Sequence, residues 1–138
     1  MSNEKFEKGL AIRKQVLGEA YVNNSINNAD DFNLPLQELV TEYCWGAVWG
    51  RKELSKPERS LINLAMISAL NRPHELKLHV KGALRNGVPK EKIREVLLQV
   101  AIYCGVPAAV DSFRIAKEAI HEYEQENLGY RFISKFTD

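Results

Sequence analysis

Apolar residues along this chain recur at steps of three and four positions, the spacing of one face of an α-helix, and no segment alternates with the period of a strand. This pattern predicts a first helix from about Asn3 to just before Gly18. Residues 23–33 are rich in Asn and Asp and are predicted to form a loop. A second helix is predicted from Pro35, because proline is favoured at the first helical position, to Gly50.

Ser55 and Glu58 flank Pro57 in the spacing of a capping box, which marks the start of a third helix that runs to about Leu70. This helix is apolar on nearly all sides, which is typical of a buried helix. In a chain this small, burial on every side points to an oligomer.

Three more helices follow. The fourth is predicted from Pro73 to Asn86, with Gly87 as its cap, and the fifth opens at Pro89. The sixth follows residues 105–107, extends to Asn127 and is expected to stop at Gly129. The tail, residues 130–138, holds four large apolar side chains and is expected to pack on its own chain or on a neighbour.

These elements predict an all-α fold, a compact bundle of about six helices in a single domain spanning residues 1–138, which assembles into a homo-oligomer. Apolar residues make up 45% of the chain, enough for a hydrophobic core. The 19 Lys and Arg nearly balance the 18 Asp and Glu, so no long-range electrostatic field favours binding of nucleic acid. No signal peptide and no membrane span is apparent, and a cytoplasmic location is expected.

The two cysteines, Cys44 and Cys104, lie far apart in the sequence and form no CxxC motif. A chain of this length without an export signal needs no disulfide. We expect both to be reduced thiols that are buried in helices.

One segment, residues 71–79, concentrates groups capable of chemistry at the start of a helix: Arg72, His74, Glu75 and His79. Glu75 and His79 are four apart and share a helix face. Arg72 and the helix N-terminus together would hold a carboxylate well. A solvent-exposed first turn with a core histidine explains the same pattern equally well.

A metal site is not expected in this segment. The two histidines are five positions apart and diverge by about 140° around the helix. The HExxH motif of zinc hydrolases instead places both imidazoles on one face.

A second candidate group contains the aromatic residues Tyr43, Trp45 and Trp49, with Glu42 among them. The two tryptophans are four apart and can form a wall of a small-molecule pocket, although a core or interface role is the simpler interpretation. Cys104 lies beside Tyr103 at the end of the fifth helix. The sequence shows neither a base nor a charge that would activate Cys104 as a nucleophile.

Five stretches between residues 36 and 109 carry a family resemblance: 36–46 (LQELVTEYCWG), 59–65 (RSLINLA), 71–87 (NRPHELKLHVKGALRNG), 91–99 (EKIREVLLQ) and 102–109 (IYCGVPAA). They resemble the carboxymuconolactone decarboxylase family, and the first and last resemble its decarboxylase branch in particular. The alkylhydroperoxidase-D-like branch of the same superfamily carries CxxCxxxH with an upstream glutamate. Here only His79 is retained, because Arg72 and Glu75 replace the cysteines and Ser60 replaces the glutamate. Without a vicinal dithiol, peroxide reduction is not expected.

The resemblance implies an alkylhydroperoxidase-D-like helical subunit in a ring-like oligomer, a hexamer or a trimer. It implies cofactor-free decarboxylation of 4-carboxymuconolactone to 3-oxoadipate enol-lactone, a step of protocatechuate breakdown in the β-ketoadipate pathway. The substrate is then an unsaturated lactone dicarboxylate.

The resemblance also suggests roles for the candidate residues. Arg72 would bind a carboxylate, His79 or His74 would donate a proton to carbon, and Glu75 or Glu42 would orient that imidazole. The pocket would be completed by Trp45, Trp49 and Cys104. Three alternatives stay open: a lyase or isomerase acting on a related lactone acid, a thiol-dependent antioxidant protein using Cys44 and Cys104, and a non-catalytic helical interaction module.

Overall fold

The computed structural model describes the backbone of residues 3–137 and the side chains of residues 4–129. Within these residues the chain is helical and contains no strand, which confirms the all-α prediction. The α-helices are α1 (Asn3–Leu17), α2 (Glu19–Asn27), α3 (Leu34–Leu39), α4 (Lys56–Ala69), α5 (Pro73–Arg85), α6 (Lys90–Cys104) and α7 (Val106–Thr137), and a π-helical segment (Val40–Val48) continues directly from α3.

The predicted loop over residues 23–33 is wrong in its first half, because α2 occupies residues 19–27. Gly18 separates α1 from α2 with a φ of 94°, in the left-handed region that glycine adopts without steric cost. The second predicted helix exists, but most of it is π-helical. Its last turn contains a hydrogen bond from the Trp49 amide to the Cys44 carbonyl, five residues back, at 3.0 Å.

The predicted capping box of α4 is confirmed. The Ser55 amide donates to the Glu58 carboxylate at 2.8 Å, and the Glu58 amide donates to the Ser55 hydroxyl at 3.3 Å. The predicted burial of α4 on every side is wrong, because Ile62, Met66 and Leu70 are exposed.

The predicted stop at Gly129 is also wrong, because α7 continues to Thr137. The structure does not describe the side chains of residues 130–138. The predicted packing of that tail therefore falls outside the described residues.

The chain divides into two compact units, Met1–Arg59 (the N-terminal unit) and Ser60–Asp138 (the C-terminal unit). The single domain over residues 1–138 stays a prediction. In the N-terminal unit α1 lies against the π-helical segment. Gly9 permits this approach, because a Cβ there would collide with the Thr41 carbonyl oxygen. The buried Arg13 side chain donates to Gln37 at 2.8 Å and to the Thr41 hydroxyl at 3.2 Å.

The C-terminal unit has its own apolar core, in which α7 packs against α5 and α6. Each helix contributes residues at helical spacing, so one face of each turns inward. The buried core residues are Leu64, Leu76, Val80, Ala83, Val88, Ile93, Leu97, Ala116 and Ala119.

Candidate active site

The start of α5 is shaped by a tight turn after α4. Asn71 has a φ of 56°, a left-handed conformation that asparagine tolerates better than most residues. The Arg72 amide donates to the Ile67 carbonyl at 3.2 Å, and the Arg72 carbonyl accepts the Leu76 amide at 2.9 Å. Pro73 occupies the first helical position, as predicted. The turn therefore fixes the Arg72 backbone immediately before the helix.

The two histidines of α5 lie in different environments. His79 is buried, whereas His74 and Glu75 are exposed. His79 lies beside Leu76 and Val80, whose side chains face the core of the C-terminal unit. Glu75 is one turn before His79 and on its side of the helix. Glu75 is therefore exposed like His74, but its charge acts on the buried His79.

Burial lowers the pKa of His79 below its ordinary value, because the charged imidazolium is poorly solvated there. The charge of Glu75 acts in the opposite direction and raises the pKa of His79, but it is the smaller effect. In the free protein the imidazole is therefore mainly neutral at pH 7. Added negative charge nearby would favour its protonated form.

A cleft of about 410 Å³ opens beside Arg72 in the C-terminal unit. Three elements line it: the end of α4, the start of α5 and the first turns of α7. The lining residues are Ile67, Ser68, Asn71, Arg72, Pro73, Leu76, Asp111, Ser112, Arg114 and Ile115. Two arginines, both on helices or at their ends, therefore share one cleft.

The polar lining of this cleft includes residues that sequence reasoning missed. Ser68 and Ser112 are buried, and the Ser68 hydroxyl has no hydrogen-bond partner among the described residues. Arg114 donates to Asp111 at 2.9 Å, and both side chains are largely exposed. The available signal was a lone polar residue within an apolar stretch, as Ser68 is in α4.

The predicted aromatic group lies in the N-terminal unit. Trp45 and Trp49 are buried, with ring centroids 4.8 Å apart and planes inclined by 32°. Glu42 lines a different cavity of about 330 Å³, together with Lys5, Lys8 and Arg51. One oxygen of Glu42 is enclosed and has no hydrogen-bond partner among the described residues.

Both cysteines are free and exposed, so the prediction of buried thiols is wrong. Cys104 lines a cavity of about 270 Å³ between α4 and α6, apart from the Arg72 cleft. Although Cys44 is exposed, partial desolvation of its sulfur raises the pKa of the thiol, and the nearby charge of Arg13 only reduces that effect. A raised pKa leaves little thiolate and weakens the antioxidant alternative.

Within the part of the chain that the structure describes, no helix is long and apolar enough to cross a membrane. Among the same residues, no three His, Cys, Asp or Glu side chains are grouped as metal ligands.

Residues 35–118, more than half of the chain, match the model of the carboxymuconolactone decarboxylase family. The chain belongs to the carboxymuconolactone decarboxylase family. The match includes every predicted site residue from Glu42 to Cys104. The resemblance drawn from the sequence is confirmed, and so is its enzyme class at the level of the family.

Two relatives in this family match over most of their length. The nitrosuccinic acid decarboxylase of Metarhizium robertsii is 42% identical over 117 residues, 85% of this chain and 82% of the relative. The 4-carboxymuconolactone decarboxylase of Acinetobacter baylyi is 36% identical over 119 residues, 86% of this chain and 89% of the relative. The two relatives share decarboxylation but are named for different acids.

Proposed function

We propose that this protein decarboxylates a small dicarboxylate whose own electron-accepting group takes up the electron pair released with CO2. The unsaturated lactone dicarboxylate 4-carboxymuconolactone is the first substrate to test. The observation that carries the proposal is the arrangement at the start of α5, where buried His79 lies one turn after Glu75 and Arg72 directly precedes the helix. Membership of a decarboxylase family supports it.

In the proposed reaction the bond between the ring carbon and its carboxylate breaks, and CO2 leaves. The electron pair passes through the ring double bond to the lactone carbonyl, which gives a dienolate. A proton then adds to carbon and yields the enol-lactone. Because the electron sink belongs to the substrate, the proposed reaction needs no cofactor.

The site residues divide this work in the proposal. Arg72 binds a carboxylate through two parallel hydrogen bonds. Protonated His79 delivers the proton to carbon, since a neutral imidazole is far too weak an acid. The bound dianion and Glu75 together raise the pKa of His79 and hold the proton there until it is needed. His74 is the second candidate donor, and its exposure makes it the weaker one.

Nitrosuccinate is the second candidate substrate, because the Metarhizium robertsii relative is named for it and is 42% identical. The electronic requirement is the same. A nitro group on the carbon that bears the leaving carboxylate accepts the electron pair as a nitronate, and protonation gives 3-nitropropanoate. Both substrates are dicarboxylates, so both need an anion site besides the reacting centre.

We also propose that the protein forms a homo-oligomer, a hexamer or a trimer. Support comes from apolar side chains of α4 and α6 that remain exposed in the single chain, among them Ile62, Met66, Leu98 and Ile102. Exposed apolar patches of this kind commonly mark interfaces. The cytoplasmic location and the place in protocatechuate breakdown stay predictions.

The test is a coupled ultraviolet assay in which a cycloisomerase generates the lactone from carboxymuconate in the presence of this protein. Formation of enol-lactone and CO2 above the uncatalysed rate supports the proposal. A parallel assay follows loss of nitrosuccinate and appearance of 3-nitropropanoate. If folded protein accelerates neither reaction, both substrate assignments are wrong, and other dicarboxylates with an adjacent electron acceptor are the next to screen.

A further inference from the structure

We propose that the cleft lined by Arg72, Arg114, Ser68 and Ser112 binds the carboxylate that the substrate keeps and thereby selects dicarboxylates. This inference rests on the proposed function, which it deepens by assigning the two carboxylates to different environments. Only Arg72 among these four residues was a candidate from the sequence.

The reaction itself shows which carboxylate a cation should hold. Decarboxylation converts the leaving carboxylate into neutral CO2, so an arginine paired with it would stabilise the starting state and lose that interaction at the transition state. Only interactions that are retained or strengthened in the transition state accelerate a reaction. The retained carboxylate keeps its charge throughout, and an arginine can therefore bind it without slowing the chemical step.

The cleft supplies positive charge from two elements. Arg72 precedes the first turn of α5, and Arg114 lies in α7. Arg114 already donates to Asp111 at 2.9 Å. A guanidinium has five N–H donors, so the pair with Asp111 leaves others for a ligand. Because the Arg114 and Asp111 side chains are both mostly exposed, that ion pair is weak and open to competition.

The buried hydroxyl of Ser68 independently points to a ligand. Ser68 lines the cleft, is only 2% exposed and has no hydrogen-bond partner for its hydroxyl among the described residues. A buried hydroxyl without a partner is destabilising, and such groups are rare in folded proteins. A carboxylate oxygen in the cleft would accept that hydrogen bond. Ser112, which is 3% exposed, lines the same cleft from α7.

The apolar part of the lining strengthens such binding. Ile67, Leu76 and Ile115 line the cleft beside the polar groups, and this part of the wall offers water no hydrogen bond. Charge-assisted hydrogen bonds are stronger where water competes less. The volume of about 410 Å³ lies within the range of small-molecule sites.

The first test compares Arg114→Gln with Arg94→Gln. Arg94 is a matched control, because it is also exposed, also pairs with a neighbouring carboxylate and does not line this cleft. For the decarboxylation, Arg114→Gln should raise KM about tenfold and leave kcat within about threefold, the signature of lost uniform binding. Arg94→Gln should change neither. An unchanged KM in Arg114→Gln would overturn the proposal while leaving the proposed function intact.

A binding measurement tests the cleft independently of the proposed decarboxylase function. Calorimetric titration with succinate, compared with propanoate, probes the cleft without any reaction. We expect succinate to bind the native protein at least tenfold more tightly than propanoate does, and Arg114→Gln to remove most of that preference. This outcome supports the cleft even if no decarboxylation is found. Equal binding of the two acids, or a preference that survives in Arg114→Gln, refutes it.

Ser68→Ala distinguishes a ligand-binding role of the hydroxyl from a structural role, because the two roles predict opposite shifts in the melting temperature. If the hydroxyl is kept for a ligand, its removal should raise the melting temperature of the ligand-free protein and raise KM for the dicarboxylate several-fold. A lowered melting temperature with an unchanged KM means that the hydroxyl serves the fold and not the ligand.

Discussion

Glu75 lies one turn before His79 in α5, and its charge opposes the burial that lowers the pKa of the His79 imidazole. The two effects are unequal, because burial is the larger and leaves His79 mainly neutral in the free protein at pH 7. In the proposed reaction the substrate must supply the remaining negative charge. The protonation state of His79 is thereby coupled to substrate binding.

The first prediction concerns Glu75→Gln. Removing the carboxylate removes an effect that raises the pKa of His79, so the pKa falls further. Since the protonated imidazole is the proposed acid, the limb on which kcat/KM falls with rising pH should move to lower pH. Steady-state rates between pH 5 and 8 measure this shift, and His121→Gln, an exposed histidine of α7, is the control. If this limb does not move, Glu75 does not control the protonation of His79 during the reaction.

The second prediction identifies the proton donor. His79→Ala should lower turnover by about two powers of ten or more, whereas His74→Ala should have a much smaller effect. The difference follows from burial of His79 and exposure of His74. Both variants are assayed for turnover, with circular dichroism as the check on folding. Near-normal turnover in a folded His79→Ala protein would exclude His79 as the donor.

The third prediction is a pH dependence of stability. Because the folded-state pKa of His79 lies below its unfolded value of about 6.5, the unfolded chain binds more protons between these two values. The contribution of His79 to stability is therefore present above about pH 6.5 and is lost as pH falls through that window. Urea denaturation at several pH values measures this loss, and His79→Gln should show a shallower dependence. The same slope in both proteins would assign the dependence to other groups.

Parts of the fold were predictable because the signal is local. Ser55 and Glu58 identify the capping box of α4, and Pro73 identifies the start of α5. The π-helical segment was not predictable, because hydrogen bonds between residues five apart have no compositional signature to distinguish them from those of an α-helix. In the same way, periodicity alone gave no reason to assign a helix to residues 19–27.

The candidate site was predictable only in the part that lies within one segment. Arg72, Glu75 and His79 stand close together in sequence, and helical geometry relates them. Ser68, Ser112 and Arg114 join the cleft only because α4, α5 and α7 meet there. Contact between these helices is set by tertiary packing, and the spacing of residues within one helix does not predict it.

The fourth prediction compares two glycines within helices. A Cβ at Gly9 would overlap the Thr41 carbonyl oxygen, so Gly9→Ala forces α1 away from the π-helical segment. We expect a loss of about 3 kcal/mol in the free energy of unfolding. Gly129→Ala meets no atom within 4 Å and should instead stabilise the protein by about 0.5–1 kcal/mol through helix propensity. Urea denaturation of both variants tests this, and equal effects would contradict the close approach at Gly9.

The last prediction concerns assembly. Ile102 and Tyr103 at the end of α6 are each 81% exposed, and Ile62 and Met66 of α4 are exposed as well. Other residues of the same two helices line one cavity. If this surface is the interface between copies, a charge placed in it must be buried without a partner when the copies associate, which opposes association. Ile102→Glu should therefore yield smaller particles by sedimentation velocity. Lys92→Glu introduces the same side chain at an exposed position of the same helix and should leave the size unchanged. An oligomer that persists in Ile102→Glu would exclude this surface as the interface.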